Sequence, residues 1–451
     1  MKQSSTVRNL TRGPIVRQLV QFSVPLILGD LFQLSYNMVD TIVIGRFAGS
    51  VSLAAVGTCD QIMTLLILGV SGLCIGASVL MGRFFGAGRN DLLLSELKTT
   101  VSLGLIFSFV ILVLGFPLTG LLFRLMAVQP EALPDAAVYM RVIFIGLPFT
   151  CLYNIHAAAL RSVGDSGTPV RYLILSTLLN MAMDLLFVAG FGWGVVGAGL
   201  ATVLAQAVSA VLCILFIRRR VAVLRFSWRD LRVDKALARQ TLSYGGITAL
   251  QQCAQPIGNL IIQGSVNLLG VTAAAAFSAA RKIEDIGLLP GRSVSSAITA
   301  FTAQNTGAQE YRRTEEGFRK AILLEAGCGF LVSAAVLFLR APLMSLFTAD
   351  SAVTEEGVRY FSIIGFCYLL PCLTNGFQGY FRGTGRMALS LLGTLTQISV
   401  RVIVTLLAVP RMGIPGVGLA CVAGWSAMLL WQIPLRRSIR NRMLSQHPVK
   451  D

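Results

Sequence analysis

A chain of 451 residues that is 55% apolar, 13% charged and +0.72 in mean hydropathy lacks the polar coat of a water-soluble domain. Its net charge of +17, from 38 Lys and Arg against 21 Asp and Glu, raises nucleic acid as a partner. A nucleic-acid-binding domain does not devote half its length to uncharged apolar runs, so that class is excluded.

Residues 99–123, 185–217, 240–280 and 412–435 run 25, 33, 41 and 24 residues without Asp, Glu, Lys or Arg. About 20 apolar residues cross a bilayer as a helix, so the two longest runs must fold back. The chain reads as an all-α polytopic membrane protein with twelve transmembrane helices.

Lys2, Arg8, Arg12 and Arg17 precede the first apolar stretch, as in a signal peptide. That stretch holds Asp30 and Asp40, too polar and too long for a cleaved segment, and is the first span, near 17–46. Five more follow near 52–82, 96–122, 136–160, 168–191 and 194–217. The segment 218–239 carries eight basic residues and is the one substantial connector. Beyond it lie spans near 240–268, 272–305, 316–347, 354–380, 387–410 and 414–435. The expected organisation is a first lobe over 1–217, a cytoplasmic linker over 218–239, and a second lobe with a basic tail over 240–451.

Basic residues test the count, because they gather on the cytoplasmic side. With both termini inside, 28 of the 38 fall on that side and six (Arg46, Arg124, Arg141, Arg340, Arg359, Arg411) on the other. Arg281, Lys282, Arg292 and Arg401 fall at membrane depth. A multi-pass protein of the inner cell membrane, with cytoplasmic N- and C-termini, follows. The nine cysteines fall singly inside apolar stretches, which reads as packing rather than metal ligation or disulfides. Only two histidines occur, His156 and His447, and no catalytic triad or paired-His motif accompanies them.

A shift of 221 residues superimposes the chain on itself. Ala54, Ala55, Ile62, Leu68, Gly86, Ala87, Arg161 and Gly164 fall on Ala275, Ala276, Ile283, Leu289, Gly307, Ala308, Arg382 and Gly385. With a two-residue gap, Gly194, Gly197, Gly199 and Ala201 fall on Gly413, Gly416, Gly418 and Ala420. Two pseudo-symmetric six-helix bundles around a central cavity are expected, a common transporter plan.

Carboxylates inside a membrane are costly and default to functional candidates. Asp40, Asp184 and Thr202 should lie at one depth, roughly 9–12 Å below the outer surface, from their distances to the span ends. Asn180 is one turn deeper on the face of Asp184. Such a set can hold a proton or ligate a small cation such as Na+; two carboxylates this close in low dielectric avoid both being ionised. Asp60 and Asp30 are possible additions. Pro25 and Gly29 are candidates for bending the first span. The second half does not repeat the cluster: Ile261 and Arg401 stand opposite Asp40 and Asn180. It carries Arg281, Lys282, Glu284, Asp285 and Arg292 instead. Arg281 is spaced three and four residues from the two acids, so local pairing is the default; otherwise these residues, with Arg401 and Glu325, line the second lobe's cavity and touch substrate.

Pro25, Asp40 and Gly45 in the first span resemble the opening of MATE (multidrug and toxic compound extrusion) transporters. Gly86-Ala87-Gly88, Arg161-x-x-Gly164-Asp165, Gly197-Ala198-Gly199, Gln304-Asn305-x-Gly307-Ala308 and Arg382-Gly383-x-Gly385 fit the same family. The resemblance implies a secondary active antiporter exporting organic, often cationic, drugs or metabolites in exchange for H+ or Na+ by alternating access. It implies no cofactor, no catalytic residue, no resident metal, and a single copy in the bilayer. Asp40, Asn180, Asp184 and Thr202 match the first-lobe cation site of the DinF-type branch. The NorM-type branch has further acids in spans seven and ten, where 240–280 and 361–380 have none. A lipid-linked-precursor flippase of the same superfamily is the alternative, and an intramembrane enzyme a remote one.

Overall fold

The computed structural model describes residues 7–126 and 128–445; His447 lies outside them. The regular structure of the described residues is helical. Fourteen α-helices form twelve spans: α1 Ile15–Val43, α2 Gly49–Gly86, α3 Asn90–Leu125, α4 Leu133–Ser162, α5 Gly167–Asp184, α6 Gly194–Arg220 and α7 Lys235–Asn267 cross singly. α8 Val271–Gly287 and α9 Leu289–Gly307 share the eighth span, and α10 Tyr311–Ser345 is the ninth. α11 Ser351–Ile364 and α12 Leu369–Gly383 share the tenth, bent by 51°; α13 Met387–Met412 and α14 Ile414–Ser445 complete the set.

Spans eight and ten are therefore each in two pieces. Pro290 explains the first break: it lacks an N–H and sits in the opening turn of α9, where none is needed. In span ten a 3-10 turn at Gly365–Cys367 separates the pieces, with Pro371 near the start of α12. Large apolar side chains such as Phe109, Leu125, Phe338 and Leu430 point outward, the pattern of a lipid-facing surface rather than a wet one. All nine cysteines are free thiols, six of them buried.

By internal contacts the chain forms two compact units. The first comprises Pro25–Ala249 with the chain preceding Leu10; the second comprises Leu10–Val24 and the chain from Leu250 onward. The segment 218–239 belongs to the first unit, and α1 and α7 each change unit part-way along. In the first unit α2 and α7 meet backbone to backbone: a Cβ on Gly76 would lie 2.6 Å from the Gly245 nitrogen. In the second unit Leu10 is clamped at both polar atoms. Its N–H donates to Gln304 Oε1 at 2.9 Å, and Asn305 Nδ2 donates to its carbonyl at 3.2 Å. Arg313 adds bonds to the Leu10 and Gly13 carbonyls.

The repeat is visible in the backbone. Left-handed φ angles occur at Gly49 and Gly270, Gly88 and Gln309, Gly164 and Gly385, and Gly194 and Gly413, all at the spacing of the repeat. Only at Gln309, φ 61°, has the glycine been replaced.

Candidate cation site

Asp40 lies in the last turn of α1 and Asp184 ends α5, and each precedes a π-helical stretch, Ile44–Ala48 and Leu185–Gly190. Such wide turns displace the helix ladder and are frequent at functional sites. The two π stretches also pack against each other, which brings the helix ends together. The Asp40 and Asp184 carboxyl groups meet within hydrogen-bonding range. Asp184 is fully buried, Asn180 nearly so, and Asp40 half-buried.

No N–H or O–H donor reaches Asp40 Oδ1 or either Asp184 oxygen, and both polar atoms of Asn180 are unpaired. Buried polar atoms without partners are uncommon and call for an explanation. Two carboxylates can bond to one another only if one carries a proton, so the pair is built for one added positive charge. With Asn180 Oδ1 and Thr202 Oγ1 the set is all oxygen, the donor chemistry of a hard cation.

Two residues join that sequence reasoning missed. The Tyr36 hydroxyl lies 3.4 Å from Thr202 Oγ1, one turn before Asp40 on α1. Tyr139 of α4, buried, stands within electrostatic reach of Tyr36, Asp40 and Asp60. A tyrosine in an apolar helix resembles core, so the four-residue spacing to Asp40 was the only signal for Tyr36. Asp60, on an exposed face of α2, is close enough to Asp40 for the charges to interact. Asp30 lies about 15 Å along α1 from Asp40 and is not brought to the pair. α1 runs through Pro25 as a continuous helix, and Gly29 packs on α5, where an added Cβ would lie 3.2 Å from Val170.

In the second unit the charged residues divide into two groups. Asp285 pairs with Arg292 at 2.9 Å, on a half-exposed surface. Glu284 Oε1 accepts the Tyr360 hydroxyl at 2.8 Å and the Tyr368 hydroxyl at 3.0 Å, with Arg401 and Arg281 in electrostatic reach. The local Arg281 pairing expected from spacing is thus replaced: the break at Leu288 lets Arg292 reach back to Asp285, and tyrosines of span ten reach Glu284. Lys282 is exposed. Arg401 is buried, donates to Asn259 Oδ1 at 3.2 Å and leaves Nε unpaired.

The MatE family model matches residues 25–186 and again 248–407. The chain is 28% identical over 367 residues to the probable multidrug resistance protein YoeA of Bacillus subtilis, covering 80% of this chain and 79% of that one. It is 25% identical to an FAD transporter of Shewanella oneidensis (85% and 86% covered) and 21% identical to the multidrug export protein MepA of Staphylococcus aureus (83% of each). Among solved structures, an outward-facing multidrug resistance MATE family transporter of the MOP superfamily superimposes with a TM-score of 0.91 at 24% identity, over 99% of this chain and all of that one.

Proposed function

Since the chain belongs to the MatE family of membrane transporters, we propose that it is a secondary antiporter that exports organic, often cationic, compounds in exchange for H+ or Na+. The observation that carries this reading is the Asp40–Asp184 pair with Asn180: Asp40 Oδ1, both Asp184 oxygens and both polar atoms of Asn180 have no hydrogen-bond partner in the protein. A family of transporters leaves no place for an intramembrane enzyme, and the relatives' names favour drug or flavin export over a lipid-precursor flippase.

In the proposed cycle the pair takes up one cation from outside. Gaining positive charge removes the repulsion between the two carboxyls and draws α1 and α5 together at that level. α1 yields near Pro25 and Gly29, where the proline lacks one rung of the hydrogen-bond ladder. The movement contracts the first lobe and expels the bound compound. We read 1–217 and 240–451 as the two lobes, 218–239 as a cytoplasmic linker, both termini as cytoplasmic, and the working unit as one copy. The basic side bias supports that orientation.

The test is transport by purified protein in proteoliposomes, with a pH gradient and a sodium gradient imposed separately. Cationic-dye movement driven by either gradient is expected in the wild type. Asp40→Asn should abolish it while the protein still inserts, and full dye transport by that variant overturns the reading. The buried Arg401, with Nε unpaired, favours a second arm with FAD as an anionic aromatic probe.

A further inference from the structure

Glu325, on α10 of the second unit, is fully buried, and no donor reaches either carboxylate oxygen. Its surroundings show that room was made for it. A Cβ on Gly291 of α9 would lie 3.0 Å from Glu325 Oε2, and one on Gly376 of α12 would lie 3.4 Å from its Cγ. The carboxyl group therefore sits in a slot walled by two glycines.

The repeat shows what this slot replaces. At the spacing of 221 residues, Gly291, Glu325, Cys372 and Gly376 correspond to Val70, Gly104, Cys151 and Ile155. In the first unit Val70, Cys151 and Ile155 belong to one apolar core, and Ile155 fills the space over Gly104, where a Cβ would lie 2.5 Å from its Cδ1. In the second unit the large and small residues have changed places, and the large one is an acid. Two branched apolar side chains are absent and one carboxyl group occupies the layer.

The neighbours decide what that group can hold. α9 presents Gly291; α12 presents Cys372, Asn375 and Gly376; α10 itself presents Cys328. The thiols of Cys328 and Cys372 are the titratable groups beside it. No charged side chain among the described residues acts on it from α8, α9, α11, α12 or α14. An ionised carboxylate cannot be kept so without a counter-charge. A sodium ion needs a shell of oxygen ligands, and two sulfurs, one carboxamide and glycine hydrogens do not supply it. A proton needs only the carboxylate.

We propose that Glu325 is a second proton-binding site, lodged in the second unit and loaded independently of the Asp40–Asp184 pair. The assignment holds whether that pair carries H+ or Na+. Full-length protein in an ester-free detergent, taken through an acid-to-alkaline jump, should show in infrared difference spectra the loss of a carbonyl stretch from a protonated buried acid. That signal should survive in the double variant D40N/D184N and disappear when Glu325→Gln, an isosteric neutral replacement, is added to it. On the D40N/D184N background, G291V, I322V, E325G and G376I together, which restore the first repeat's Val70, Val101, Gly104 and Ile155, should lack the signal too. Persistence of the signal in D40N/D184N/E325Q, or an acid signal in D40N/D184N that does not respond to the jump, overturns the proposal. Neither result bears on gradient-driven dye transport, so the two readings fail separately.

Discussion

The two repeats share a fold and differ in how their membrane-depth acids are treated. In the first, Asp184 and Asn180 are buried with no protein partner, beside Asp40. In the second, Ile261, Arg401, Thr405 and Cys421 occupy the corresponding places, and Glu284 is held by two tyrosine hydroxyls. Elsewhere in that unit Gln251, Gln378, Ser390 and Thr394 bond to one another between α7, α12 and α13. Hydroxyls bonded to Glu284 help fix helix positions, whereas the unmet bonding capacity of the Asp40–Asp184 pair, like that of Glu325, awaits an outside charge. Duplication therefore supplied two scaffolds, and side-chain chemistry divided the labour between them.

Four substitutions test the two repeats. The largest effect is expected from Asp184→Asn, which leaves no carboxyl partner for Asp40: gradient-driven transport in proteoliposomes should fall to the level of empty liposomes. Glu284→Gln should leave the ion dependence of transport unchanged, and an equal loss there would erase the distinction between the units.

Next comes Gly164→Ala. Its φ is +87°, and an added Cβ would lie 2.2 Å from the Arg8 carbonyl oxygen, a backbone atom that cannot swing aside. A loss of about 3 kcal/mol is expected, read as a lower unfolding midpoint in detergent.

The smallest effect is Gln309→Gly, at the one left-handed position of the repeat that lacks glycine. Relief of backbone strain outweighs the added chain entropy by about 0.5 kcal/mol, so the unfolding midpoint should rise slightly.

Much of this architecture is legible in the residues. Run lengths and charged loops give the twelve spans, and the 221-residue shift gives the repeat, because burial in lipid imposes length and apolarity directly. Asp40, Asn180, Asp184 and Thr202 stand out for the same reason: polar residues are scarce there. The partners of Glu284 do not stand out, since Tyr360 and Tyr368 lie 76 and 84 residues away and spacing along one helix carries no information about donors on another. The motif Gln304-Asn305 is legible as a motif, but its role as the clamp on Leu10 requires the fold.

That clamp has a consequence for biosynthesis. Leu10 leaves the ribosome well before the side chain that receives its N–H, which comes 294 residues later. At about 5–20 residues per second, roughly 15–60 s separate the two. The entry to span one is thus made long before it is secured, and until then it depends on the insertion machinery or the lipid interface for company.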